Sequence, residues 1–338
     1  MGYRVAILSA TGTVGREFLT ALEELDFPID ELRLLGRACG EGERLELSGK
    51  ELPVQAVAAE RFRGVQLVFL SPNSGAAREW APIATRAGAL VIDTSSAFRL
   101  DEEVPLVVPE VNPEAVDGAR RKGIVASPSS AVVALALALK PLHDAARITR
   151  VVVSTYQAVS GIGRLGIVEL EKQTADLMSM RAPQARAFPH RVAFNLVPHL
   201  GKFTERGTTE EEESMALETR KVLGAPSLRM SATAVRVPVY FGHAAAVNLA
   251  TEQKLTAQAA RELLKKAPGV KVLDEPARAV YPMPMLAVGD SVAHVGRIRE
   301  DASQENGLDL FVCIDNLRKG AALNAVQLAE LLRVRGVL

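Results

Sequence analysis

The sequence predicts an α/β protein of two domains, the first built on a parallel sheet covered by helices. Three observations carry that prediction. The chain has 338 residues, more than one ordinary domain needs. Its first half alternates short apolar runs with segments of helical period, the mark of a parallel sheet covered by helices. A glycine turn, Ser9-Ala10-Thr11-Gly12-Thr13-Val14-Gly15, follows the first apolar run and opens the first helical segment.

The elements follow in order. Val5 to Leu8 reads as a strand, and Phe18, Leu19, Leu22 and Leu25 recur at helical spacing until Phe27-Pro28 ends the helix. Leu32 to Leu35 and Val65 to Leu70 read as further strands. A helix over Ala76 to Ala87 closes at Gly88, before a strand from Leu90 to Asp93. Ile124 to Ala126 is another strand, and Ser127-Pro128-Ser129-Ser130 leads into an apolar helix ending near Leu142. From Arg150 the texture changes. Val151 to Ser154 is a strand, Ser160-Gly161-Ile162-Gly163 opens a helix toward Met178, and Met180 to Gly207 is irregular. Thr208-Thr209-Glu210-Glu211 starts a helix, with acidic residues where the helix dipole favours them. Leu228 to Val239, Ala245 to Glu252, Val292 to Ile298 and Leu308 to Ile314 alternate as strands of a second sheet. A last helix spans about Leu317 to Arg333.

Composition narrows the function classes. Lys plus Arg and Asp plus Glu both number 40, so no net charge draws the chain to nucleic acid or a membrane surface. The longest apolar run, Ala131 to Leu139, is too short to span a bilayer, and the start carries no signal-peptide pattern. Cys39 and Cys313 are far apart, which argues against a disulfide framework and for a reducing cytoplasm. His143, His190, His199, His243 and His294 lack metal-ligand spacing, so no metal site is expected.

The glycine turn is the first chemical signal. Such a joint presents backbone N–H groups and a helix N-terminus to a pyrophosphate. Gly12 lets a nucleotide approach and Gly15 lets the helix pack on the strand, whereas Ser9 stands at the tight first position. A glycine turn without a ligand is the competing reading. After the second strand, Arg37 suits a ribose 2′-phosphate and so NADP, with NAD also possible; an exposed loop arginine is the alternative.

Several collinear segments carry a more specific signal. They are Asp93-Thr94-Ser95-Ser96-Ala97-Phe98-Arg99, Val108-Pro109-Glu110-Val111-Asn112 and Ser154-Thr155-Tyr156-Gln157-Ala158-Val159-Ser160-Gly161. Val235-Arg236-Val237-Pro238-Val239, Gly242-His243 and Asp315-Asn316-Leu317-Arg318-Lys319-Gly320-Ala321-Ala322-Leu323-Asn324 complete the set. Together, over nearly the whole chain, they resemble the bacterial aspartate-semialdehyde dehydrogenases. The resemblance implies a Rossmann-like nucleotide-binding domain over 1–130 and 316–338, and a central α/β domain for substrate binding, catalysis and dimerisation over 131–315. It also implies a homodimer and the reversible NADPH-dependent reduction of aspartyl phosphate to aspartate semialdehyde, on the way to lysine, threonine and methionine. Residue by residue, His243 matches the acid/base histidine and Gln157 the glutamine that orients the acyl group. Arg236 matches the substrate-carboxylate arginine, Arg99 a phosphate-binding arginine and Glu211 the substrate-amine carboxylate. For Glu211 a solvated helix face is an equal alternative. Asn316 matches a residue near the nicotinamide, and Ser160 and Gly161 are further cofactor-binding candidates.

The departures from the family pattern sit at the chemistry. The family carries Asn-Pro-Asn-Cys where this chain has Ser127-Pro128-Ser129-Ser130, so Ser130 takes the place of the nucleophilic cysteine. The family's phosphate-site lysine becomes Ser214, its glycine pair Asn73-Ser74, its Asn before Ser95 becomes Thr94, and a glutamate after the histidine becomes Ala245. Three readings compete: an aspartate-semialdehyde dehydrogenase with altered catalysis, a non-catalytic cofactor-binding or regulatory paralogue, and a Ser130–His243 hydrolase-like derivative.

Overall fold

The computed structural model describes residues 2–37 and 42–338, so Cys39 lies outside the described residues. The chain divides into two compact units, Met1–Ser129 with Ala321–Leu338, and Ser130–Gly320.

The first unit is a seven-stranded sheet flanked by helices. Strands β1 (Tyr3–Leu8), β2 (Ile29–Gly36), β4 (Lys50–Ala56), β5 (Leu67–Leu70), β6 (Leu90–Asp93) and β7 (Ile124–Ala126) run parallel. Together with β3 (Arg44–Leu47) they take the order β3-β4-β2-β1-β5-β6-β7. Of the parallel crossovers, α1 (Thr13–Glu24) covers that from β1 to β2 and α2 (Ser74–Arg86) that from β5 to β6, while 3-10 segments, Ala59–Phe62 and Pro113–Arg121, lie between β4 and β5 and between β6 and β7. Between β2 and β4 the chain instead makes a hairpin, β3 pairing antiparallel with β4. The alternation of charge with apolar residues there, as in Arg44-Leu45-Glu46-Leu47, is a strand signal that the sequence reading passed over. The last helix, α8 (Leu323–Val334), returns to this unit, where Val326 and Ala329 join Ile7, Phe18, Leu22 and Phe69 in one core. Asn324 pins it, donating from Nδ2 to Ser127 Oγ at 2.9 Å and to the Val107 carbonyl.

The second unit is a six-stranded mixed sheet, ordered β11-β12-β13-β10-β8-β9. Its strands are β8 (Ile148–Gln157), β9 (Arg229–Arg236), β10 (His243–Thr251), β11 (Val270–Val272), β12 (Ala293–Glu300) and β13 (Gly307–Ile314). Helix α3 (Ser130–Ala146) packs across β8, β10, β12 and β13, with α5 (Glu210–Leu223) against β9 and α6 (Ala257–Lys266) against β12. Alternation along β8 shows the two faces: Val151, Val153, Thr155 and Gln157 are buried, while Val152, Ser154 and Tyr156 are half-buried. The half-buried face contains a cavity of about 620 Å³, lined by Val152, Ala246, Asn248, Met283, Arg297 and Phe311 among others. The long helix after Gly163 is α4 (Arg164–Met178), and a single turn, α7 (Pro284–Ala287), lies against β13. Between α4 and α5 the chain has neither strand nor helix, as its three prolines foretell. The apolar helix outlasts its expected end near Leu142 and carries Pro141 inside it, within a last stretch that reaches Ala146.

Candidate active site

The sequence-selected residues fall into two groups, one in each unit. In the first unit, β1 runs into the Ser9–Gly15 turn and α1 begins at Thr13. Ser9 sits at φ 68°, the left-handed region that favours glycine, and its carbonyl accepts from the Gly12 N–H at 3.0 Å. A Cβ on Gly15 would collide with the Ser9 and Ala10 carbonyl oxygens, so this turn admits only glycine there. Gly12 caps α1 without any side-chain bond, and no acidic residue stands in the first turn. The start of α1, with Thr11, Thr13 and Val14 around it, is therefore left to an external anion, which fits a dinucleotide's pyrophosphate. Arg37 is exposed at the end of β2. Asn73, at one of the departures, caps α2 by accepting from the Ala76 N–H at 3.0 Å. Arg99 is partly committed to its own unit, donating to the Ser127 carbonyl at 3.1 Å and the Thr94 carbonyl at 2.7 Å.

In the second unit, strand register brings the remaining residues to one end and one face of the sheet. Gln157 pairs with Arg236 across β8 and β9, and His243 pairs with Ile314 across β10 and β13. Gln157 and Arg236 are buried on the sheet face that α3 and α5 cover, and the alternation of β10 puts His243 on the same face. The chain leaving Ile314 forms a turn fixed by Asp315, whose Oδ1 accepts from the Leu317 and Arg318 N–H groups at 2.9 and 3.0 Å. Ser130, the first residue of α3, meets that turn. A Cβ on Gly320 would lie 2.7 Å from Ser130 Cβ and 3.0 Å from the Asp315 carbonyl oxygen. Register thus places Ser130 at the same end of the sheet as Gln157, Arg236 and His243.

The backbone of Ala158 links the last two. Its N–H donates to His243 Nδ1 at 3.2 Å, and its carbonyl accepts from Arg236 Nη1 at 2.6 Å. With Nδ1 taken as an acceptor, the proton of a neutral ring resides on Nε2. Burial, then the Arg236 charge, push the His243 pKa down to about 3, with the Gly242 backbone working the other way. Burial also lowers Arg236 to about 10, opposed by Glu211. Arg236 is buried, its Nη1 is held by the Ala158 carbonyl, and Glu211 is the carboxylate whose charge acts on it. Gly161 sits against both groups. A Cβ there would be 2.8 Å from Arg236 Nη1 and 3.4 Å from the His243 ring.

Of the four glutamates opening α5, three have separate tasks. Glu211 accepts from Gln157 Nε2 at 3.1 Å, Glu212 completes the capping box with Thr209, and Glu213 binds Thr204 and Thr208. Asn316 Oδ1 accepts from the Gly242 N–H at 2.9 Å, and its Nδ2 donates to Ser160 Oγ at 3.0 Å. Ser214 donates to Glu218 Oε1 at 2.7 Å, and Ala245 is buried in β10. Cys313 alternates onto the sheet face away from α3, under α7 with Ala244 and Ala287, and burial pushes its thiol up to about 12. It cannot stand in for a nucleophile at position 130. Among the described residues no three His, Cys, Asp or Glu side chains group to hold a metal, and no helix is long and apolar enough to cross a membrane.

The two units have the architecture of a semialdehyde dehydrogenase, a nucleotide-binding unit and a separate α/β unit. Family models agree: the semialdehyde dehydrogenase NAD binding domain matches residues 4–119 and the semialdehyde dehydrogenase dimerisation domain residues 139–319. Aspartate-semialdehyde dehydrogenase of Aquifex aeolicus is 49% identical over 100% of both chains, and that of Synechocystis is 46% identical over 98% of both. Two crystal structures of aspartate semialdehyde dehydrogenase II from Vibrio cholerae, one complexed with ASA, superpose with TM-score 0.96 at 42% identity over the full length of both chains. The chain belongs to the aspartate-semialdehyde dehydrogenase family, whose reaction is the NADP-dependent reduction of aspartyl phosphate to aspartate semialdehyde.

Proposed function

We propose that this chain binds a nicotinamide nucleotide and aspartate semialdehyde, or the related aspartyl phosphate, but interconverts them very slowly or not at all. One observation carries the reading: a hydroxyl, not a thiol, stands at the start of α3. A cysteine there has a pKa of roughly 8.5 before the helix start lowers it, so thiolate is available near neutrality. A serine needs a general base instead. His243 is a poor one, because its Nδ1 accepts from a backbone amide and its proton lies on Nε2. In a serine hydrolase Nδ1–H donates to a carboxylate, which leaves Nε2 free to take the serine proton. That arrangement is absent around His243 among the described residues, which disfavours the hydrolase reading.

The groups that remain suit recognition of an α-amino acid. Arg236 takes the carboxylate, Glu211 the ammonium, and Gln157 and the His243 Nε2–H the acyl oxygen. When bound, NADP would supply hydride exchange, and Gly12, Gly15 and the start of α1 would hold its pyrophosphate. The lysine that the family uses for phosphate is replaced by Ser214, which is turned to Glu218. A homodimer formed through the half-buried sheet face, in a cytoplasmic setting, completes the proposal. The test is steady-state turnover with aspartate semialdehyde, phosphate and NADP, alongside calorimetric titration of each ligand. Binding without turnover is expected; robust turnover by the unaltered chain would refute the inactive reading.

A further inference from the structure

The irregular stretch between α4 and α5 has no ladder or helix to satisfy its backbone, so its N–H groups must find other acceptors. Two side chains one turn apart on α4 supply them. Glu169, 8% exposed, accepts from the N–H groups of Arg186 at 3.1 Å and Phe188 at 3.4 Å, and from that of Ala187. Gln173, 1% exposed, accepts from Val192 and Ala193 at 2.9 and 3.1 Å. Its Nε2 donates to the Gln184 carbonyl and to Glu169, each at 3.0 Å. A carboxylate with several backbone donors is a charge-assisted anchor, stronger than neutral bonds of the same number.

What that anchor holds is the Phe188 ring. It packs with Val159, Leu170, Val192 and Ala193, and its centroid lies 5.8 Å from Arg236 Cζ. The same stretch reaches Arg236 a second time, where Val197 exchanges both backbone bonds with it at 3.0 and 2.8 Å. The guanidinium is thus set between the Ala158 carbonyl and an aromatic face. The rest of its donors are aimed by those two contacts.

We propose that Glu169 is a positioning residue: by fixing the 186–188 backbone it seats Phe188 on Arg236 and so sets the direction in which Arg236 meets a ligand's α-carboxylate. This rests on Arg236 reading that carboxylate. Glu169→Gln replaces an acceptor-only group with one that presents N–H donors to N–H donors, which unseats the stretch.

The experiment is calorimetry on the full chain at a temperature well below unfolding, with L-aspartate and its α-amide as probes. The parent should prefer the acid about tenfold or more, and Arg236→Lys should abolish that preference. Glu169→Gln and Phe188→Leu should each reduce it several-fold, and the double variant should reduce it no further than the stronger single variant. Phe188→Leu, an apolar exchange, keeps the test informative should Glu169→Gln fail to fold. Preference kept in both single variants, or effects that multiply in the double variant, would overturn the positioning role alone. A parent that does not bind L-aspartate, or does not distinguish it from the amide, overturns the Arg236 assignment and this inference with it.

Discussion

Two strand-to-helix joints of this molecule carry serine where the family pattern has another residue, and they respond in opposite ways. Between β1 and α1, Ser9 occupies a left-handed position, yet the turn keeps its Ser9–Gly12 hydrogen bond and leaves the start of α1 uncapped. Between β7 and α3, the path is equally intact, but Ser130 offers a hydroxyl where a thiol would stand. The first joint acts through its main chain, so any side chain that tolerates the dihedral preserves its task. The second acts through one side-chain atom, and an unperturbed backbone preserves nothing of the chemistry. Similarity of fold is therefore sound evidence for binding here and poor evidence for turnover.

The comparison breaks most sharply at the second joint. Ser130→Cys with Ser214→Lys should raise dehydrogenase turnover on the order of a thousandfold over the parent, and more than either change separately, because attack and phosphate binding act on one transition state. Single variants as active as the double one would show that the two positions are uncoupled.

Acid sensitivity comes next. The folded chain holds His243 near pKa 3, while the unfolded chain takes up that proton near 6.5. Below about 6.5 the unfolded state binds more protons, so stability is intact above that pH and falls as pH drops toward 3. The loss, complete only below the folded pKa, is on the order of 5 kcal/mol for this group. Urea denaturation from pH 7 to pH 4 should show His243→Gln losing clearly less stability than the parent.

Gly161→Ala probes the backbone side of the second unit. Its added methyl would press on Arg236 and His243, costing about 1–3 kcal/mol of stability by thermal melts and weakening ligand binding with it. A variant with parental melting and affinity would remove Gly161 from the site.

Ser9→Gly is the mildest test and addresses the first joint directly. Relief of the left-handed strain, partly offset by chain entropy, should stabilise the chain by up to about 1 kcal/mol. NADP affinity should change by a few-fold at most; a large gain would mean that the Ser9 side chain, not only its backbone, bears on the nucleotide.

Much of this was legible before any coordinates. Period and punctuation foretold the parallel sheet and the irregular stretch after Met178, and Ser130 was already expected at a helix start. The hairpin of β3 and β4 is hard to read because the alternation of β3 lasts only four residues, Arg44–Leu47, before Ser48-Gly49 breaks it. The site was legible only where a side chain carries the role. Ala158 holds both His243 and Arg236 through its peptide group, a task that no residue identity announces. The sequence around Glu169 and Gln173 announces no role for them, because the backbone donors they satisfy lie well along the chain. The run Glu210–Glu213 divides into distinct tasks only once the neighbours of each carboxylate are known.

The proposed homodimer, formed through the half-buried face of the second sheet with its cavity of about 620 Å³, would give the amount of protein in solution a thermodynamic role. Exposed Met283, Met285, Leu286 and Val288 lie in and beside α7, next to it. If a second copy covers that surface, mass action links folding to association, and each tenfold rise in concentration adds about 1.4 kcal/mol per mole of dimer. A melting temperature then has meaning only beside the concentration at which it was taken. Dilution would become a mild denaturant, acting on the face of the sheet opposite the one that holds Arg236 and His243.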